Sequence, residues 1–128
     1  MSATALFAVA MGAALGAWLR WWLGAHLNPI NPNFPLGTWA SNLLGGYLVG
    51  IAVALFAQQP SISYETRLFV VTGFLGGLTT FSTFSAETVS LLMRAQYVWG
   101  MINAGAHLFG SLLMTALGMA TVRLFARA

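Results

Sequence analysis

Between Thr72 and Ser90 an otherwise apolar stretch carries eight hydroxyl residues: Thr72, Thr79, Thr80, Ser82, Thr83, Ser85, Thr88 and Ser90. A hydroxyl offers a hydrogen-bond donor without a charge. Phe81 and Phe84 stand among them, three apart and so on one helix face. An aromatic ring has a negative face and a positive edge, so ring edges turned inward can meet an anion without adding a full charge. Asn103, His107, Ser111 and Thr115 recur every four residues and wind as one polar stripe. Thr38 and Asn42 repeat that spacing, with Ser41 beside them.

Each feature has a plain alternative. Serine and threonine can bond back to their own helix. Intramembrane amides can join helices, worth about 0.6 kcal/mol on average. Two phenylalanines can simply pack. Together, however, these groups are rich in donors and have no carboxylate at their centre. That chemistry suits a path for a small, strongly hydrated anion, whose water must be replaced by close donors.

The rest of the composition says where such a path lies. The chain has 128 residues, 59% hydrophobic and only 5% charged, against about 25% charged in an average soluble domain. Its charges are Glu65, Glu87, Arg20, Arg67, Arg94, Arg123 and Arg127. This excludes an ordinary soluble domain and a disordered chain. The few scattered arginines form no basic face, so nucleic acid is not an expected partner. Without cysteine there are no disulfides and no thiolate metal sites. No nucleotide loop, His/Glu metal cluster or Ser/His/Asp set is present, and an enzyme is not expected.

A transmembrane helix takes about 20 mostly apolar residues. The chain divides into four, at about 3–25, 36–57, 68–93 and 97–122, in one domain. All four prolines fall between spans: Pro29, Pro32 and Pro35 in the first connection, Pro60 in the second. Ser63 is placed to cap span 3, with Glu65 in its first turn. A short third connection predicts that spans 3 and 4 are antiparallel neighbours. Hydroxyls on all sides of span 3 cannot face lipid. Gly76-Gly77 beside Thr79 and Thr80 is a poor helix core, so the third helix should break between Gly76 and Thr80. Carbonyls freed by a break need protein, water or an ion.

The arginines split three toward the N-terminal side (Arg67, Arg123, Arg127) and two toward the other (Arg20, Arg94). So small a bias allows copies to insert both ways. Trp18, Trp21, Trp22, Trp39 and Trp99 all fall toward the second side, and an inverted copy would supply the missing aromatic belt. The pairs Gly12/Gly16, Gly46/Gly50 and Gly73/Gly77 let helices approach closely. Small faces on three spans point to packing beyond the chain's own helices. Arg20, near the end of span 1, either snorkels to the interface or holds a positive potential at a pore mouth. Glu87 is an intramembrane carboxylate, a functional candidate or a partner that fixes span 3.

Three segments match a known family. Gly16-Ala-Trp-Leu-Arg20-Trp21, Gly37-Thr38-Trp-Ala-Ser-Asn42-Leu-Leu-Gly45 and the long Gly73-to-Glu87 stretch resemble signatures of the CrcB/Fluc fluoride channels, and the resemblance runs along nearly the whole chain. It implies an all-α membrane protein acting as an antiparallel, dual-topology homodimer with two fluoride pores, in a prokaryotic inner membrane. Fluoride, a second inverted copy and lipid are the implied partners. By this resemblance Phe81, Phe84 and Asn42 line the fluoride pathway, with Ser111 and Thr115 as a polar track and Arg20 at the vestibule. The backbone carbonyls of Gly76 and Thr79 would hold a structural Na⁺ on the dimer axis. Thr38, Thr80, Ser82, Thr83, Glu87 and His107 stand as structural or unassigned positions, with Asn103 beside them. The alternative is a small multidrug-resistance-type proton-coupled exporter, which needs a carboxylate in span 1; span 1 has none.

Overall fold

The computed structural model describes all residues, 1–128, as four long apolar helices: Ala3–Ile30, Leu36–Gln58, Tyr64–Met93 and Tyr97–Arg127. Only 19 of the 128 residues are buried, and large apolar side chains from Leu6 to Phe125 lie on the outside. A chain that turns its hydrophobic residues outward is built for lipid.

Local chemistry sets the helix ends. Ser2 accepts from the Ala5 amide, and Ser63 from the Thr66 amide, both at 3.1 Å, with Glu65 in the first turn after Ser63. In the first connection, Asn28 Oδ1 accepts from the amides of Gly37 (2.7 Å) and Thr38 (3.1 Å), capping span 2 from the end of span 1. Asn31 Oδ1 binds the Asn33 and Phe34 amides, closing a turn between the prolines. Arg67 folds back to donate to the carbonyls of Phe56, Gln59 and Ile62 at 3.0–3.2 Å, so it ties off the end of span 2. Spans 3 and 4 extend further than the apolar stretches alone indicate, because Ser63 starts the third helix at Tyr64 and the fourth runs on to Arg127.

Span 3 has two arms. The upstream arm runs through Tyr64–Arg67, Leu68–Leu75 and Gly76–Leu78, and its middle stretch is wound as a wide π-helix. Thr79 (φ −88°, ψ 151°) and Thr80 (φ −150°, ψ 121°) are extended, and the downstream arm resumes at Phe81–Met93. The break thus falls inside the expected Gly76-to-Thr80 window. Thr80 caps the new helix, its hydroxyl accepting from the Thr83 amide at 3.1 Å.

The glycine pairs are used within the chain. Gly12 and Gly16 of span 1 meet Gly73, Phe74 and Leu78 backbone, and Gly77 meets Ala13 and Ala17. Gly50 lies on the backbone of Thr115 and Met119, and Gly118 on that of Tyr47 and Ile51. The most extensive packing is span 2 on span 4 and span 1 on the upstream arm; only the downstream arm lies along span 4. The small-residue faces are therefore satisfied inside one chain, and they do not by themselves call for a partner.

The tryptophans also divide. Trp18, Trp21 and Trp22 project outward at the end of span 1. Trp39 turns inward, donating from Nε1 to the Ala106 carbonyl at 3.1 Å with Phe34 edge-on to its ring. It joins spans 2 and 4 and is not part of a lipid belt.

Candidate functional site

The break leaves backbone groups to be satisfied, and the site is organised around how that is done. The Thr80 amide donates to Asn42 Oδ1 at 2.7 Å, while Asn42 Nδ2 donates to the Thr80 carbonyl at 2.9 Å. One side-chain amide from span 2 thus pairs with both backbone groups of Thr80, as a neighbouring strand would. Arg20 Nε donates to the Gly77 carbonyl at 2.9 Å, the last turn of the upstream arm. A cation belongs there, since the C-terminal end of a helix carries partial negative charge. The Thr79 hydroxyl bonds back to Leu75 at 2.7 Å. The carbonyls of Gly76 and Thr79 receive no hydrogen bond, and a side chain at Gly76 would stand in open space.

All of these groups but Arg20 and Gly77 line an open groove of about 640 Å³ between spans 2, 3 and 4. Asn42, Gly76, Thr79, Thr80, Phe81, Phe84, His107 and Ser111 all reach it, and no acidic residue does. The Phe81 and Phe84 rings meet edge to face, with centroids 5.4 Å apart and planes at 67°. Phe81 is 80% exposed, and Phe84 lies against the His107 ring at 4.6 Å. The groove's hydroxyl donors and ring edges can replace the water of a small anion at short range, while its bare carbonyls, being acceptors, suit a cation.

Two smaller cavities lie on the Arg20 side of the break, one beside it and one further along the downstream arm. One, of about 250 Å³, has Arg20, Thr38, Thr80 and Thr83 in its wall. The other, of about 270 Å³, has Glu87, Ser90 and Arg94. Between them the Thr38 hydroxyl donates to Glu87 Oε1 at 2.6 Å, and Glu87 Oε2 is buried without a partner.

Not every expected residue joins the groove. Thr115 donates to the carbonyls of Gly46 and Ser111, both at 3.0 Å, and lies behind Gly46. Ser82 is drawn to Thr80 Oγ1 at 3.2 Å, beside Thr83 in the cap. Asn103 is fully buried and donates to Thr88 Oγ1 at 2.9 Å, leaving its Oδ1 without a partner. Asn42's grip on the Thr80 backbone and Arg20's reach to Gly77 went unforeseen, because in both cases the partner is a backbone group on a remote helix.

Residues 7–119 match the model of the family described as CrcB-like protein, Camphor Resistance (CrcB). A relative from Nitrosospira multiformis, named a fluoride-specific ion channel FluC, is 58% identical over 127 residues, covering 99% of each chain. Proteins of the same name from Cupriavidus metallidurans (57% over 119 residues, 93% of this chain and 94% of the relative) and Pseudomonas putida (54% over 116 residues, 91% of each) are similar.

Proposed function

The chain belongs to the CrcB-like family, and on that premise we propose that it is a fluoride-specific ion channel, through which fluoride leaves the cytoplasm passively. The observation that carries this function is the acid-free groove at the break, where Asn42, the Phe81–Phe84 edge pair and Ser111 converge. Fluoride sheds its water against the Ser111 hydroxyl and the ring edges, with Asn42 holding the break in place beside them, and the groove holds no fixed negative charge to oppose it. A negative interior drives the anion out by about 2.3 kcal/mol per charge per 100 mV. Arg20 keeps the Thr38–Thr80–Thr83 cavity positive, an entrance that attracts anions.

The working unit is an antiparallel homodimer in the inner membrane, with the second copy inserted the opposite way. Bare carbonyls at Gly76 and Thr79 cannot face hydrocarbon, and the exposed ring of Phe81 lies on the same open side. An inverted copy laid on that side covers both. The near-equal arginine split allows both insertions, and the Trp18–Trp21–Trp22 group of each copy then anchors one membrane surface. The Gly76 and Thr79 carbonyls fit a Na⁺ ion, since unwound-helix carbonyls are its usual ligands in membranes. Bound there, it would supply a positive charge at the break.

Purified protein in liposomes tests the function. Fluoride efflux with chloride held back is the expected outcome; equal chloride flux would overturn it. A C-terminal reporter should be found on both sides of the membrane, and a single location would remove the inverted copy.

A further inference from the structure

His107, on span 4, is 4% exposed and faces Asn42, the span 2 residue that anchors the break. Its Nδ1 lies 3.0 Å from Asn42 Nδ2, and its Nε2 is buried with no partner. The proton positions follow from hydrogen-bond accounting. The Thr80 amide is a donor, so the Asn42 atom facing it at 2.7 Å must be the oxygen. The Thr80 carbonyl is an acceptor, so the atom facing it at 2.9 Å must be the nitrogen. Turning the Asn42 amide over would set donor against donor and acceptor against acceptor at once. Asn42 Nδ2 carries two protons and no available lone pair. One proton goes to the Thr80 carbonyl, and the other points to His107 Nδ1. That ring nitrogen must accept, so it carries no proton.

We propose that the Thr80 backbone, acting through Asn42, fixes His107 as the neutral tautomer with its proton on Nε2, making Asn42 the positioning residue for the His107 ring. The ring then has no free lone pair. Its Nδ1 is spent on Asn42, and its Nε2–H is a donor without a partner in the chain. His107 lines the groove, and its one uncommitted polar group is a donor and not a proton acceptor, open to an ion that reaches the buried Nε2. The consequence for transport rests on the fluoride function proposed above; the tautomer does not.

The chain has two histidines, His26 and His107. Nitrogen NMR of the full-length protein, labelled at histidine and held in lipid bilayers, therefore resolves them, with His26→Gln assigning the signals. The expected result for His107 is a protonated-type Nε2 and an unprotonated-type Nδ1. Asn42→Asp replaces the donor with an acceptor and should move the proton to Nδ1. Asn42→Ala should give a mixture of tautomers. A wild-type ring protonated at Nδ1, or at both nitrogens, would overturn the proposal, as would an unchanged tautomer in both variants. The wild-type spectrum decides even if the variants fail to fold. Added sodium fluoride, but not sodium chloride, should shift the Nε2–H signal. No shift in liposomes that still pass fluoride would remove the donor role. His107→Phe keeps a ring against Phe84 and loses the N–H; fluoride efflux should slow about tenfold. His107→Gln restores a donor and should recover most of the rate. Equal rates in these two variants would also remove the donor role.

Discussion

The two arms of span 3 belong to one helix and are held in different ways. The upstream arm lies backbone to backbone on span 1, with Gly73 and Gly77 against Gly12, Ala13, Gly16 and Ala17. No side-chain hydrogen bond joins span 1 to the Leu68–Leu75 stretch; fit alone holds it. The downstream arm packs Leu91 and Leu92 on Gly100 of span 4 and adds polar pairs that the upstream arm's long seam lacks: Thr38 to Glu87 at 2.6 Å, Asn103 to Thr88 at 2.9 Å, and Asn42 to Thr80 at the joint. In lipid, apolar surface gives helices little reason to associate, so close packing and hydrogen bonds must do so. This chain assigns close packing to the scaffold and hydrogen bonds to the site. The scaffold leaves no room, while the site keeps a groove whose polar groups remain open to an ion.

The contrast is broken most severely at Gly16. A side chain there would run into the Phe74 carbonyl and lie within 2.7 Å of the Leu78 amide. Gly16→Val should cost about 3 kcal/mol or more, and the protein should no longer elute as a stable, monodisperse species in detergent. Native elution and thermal stability would show that the seam can yield. Asn42→Ala comes next. It strips the partners from the Thr80 amide and carbonyl, at about 1–3 kcal/mol for each buried group left unsatisfied. Thermal stability should fall, with fluoride efflux lost in whatever fraction remains folded. Thr115→Val should do least. Its hydroxyl serves only the Gly46 and Ser111 carbonyls, so the loss should be about 0.6 kcal/mol, with efflux near the wild-type rate. A large loss of efflux in this variant would bring Thr115 back into the pathway.

Sequence made the scaffold legible because its signals are local. Glycines four apart mark close approach, four apolar stretches of spanning length mark the helices, and Gly76-Gly77 followed by Thr79-Thr80 marks the break. It did not tell which helices the glycines face; that depends on the order in which the spans pack, and it is span 1 on the upstream arm. Asn42 and Ser111 stood out as members of polar stripes out of keeping with lipid, and Phe81 and Phe84 only by their place among hydroxyls; it was the family resemblance that singled the four out as pathway residues. Asn42's bond to Thr80 was not legible, since it joins a side chain to a backbone 38 residues away. Arg20 was equally ambiguous: the same long side chain can reach the interface or turn inward, and here the bare Gly77 carbonyl draws it inward. Trp39 looked like part of an aromatic belt, but its Nε1–H is committed to the Ala106 carbonyl. The wide turns of Leu68–Leu75 have no proline or other local signal to announce them.

Phe81 is the residue on which the two regions differ most sharply, an exposed ring at the joint that contributes little to the fold of the single chain. Phe81→Ile keeps an apolar side chain and removes the ring edge. Fluoride and chloride efflux should therefore be measured side by side from liposomes holding wild-type protein or Phe81→Ile. Wild type should pass fluoride and retain chloride, while the variant, still folded and eluting as the wild type does, should pass fluoride far more slowly. Equal fluoride rates in the two proteins would contradict a pathway lined by ring edges, and fluoride retained by the wild type would contradict the channel itself.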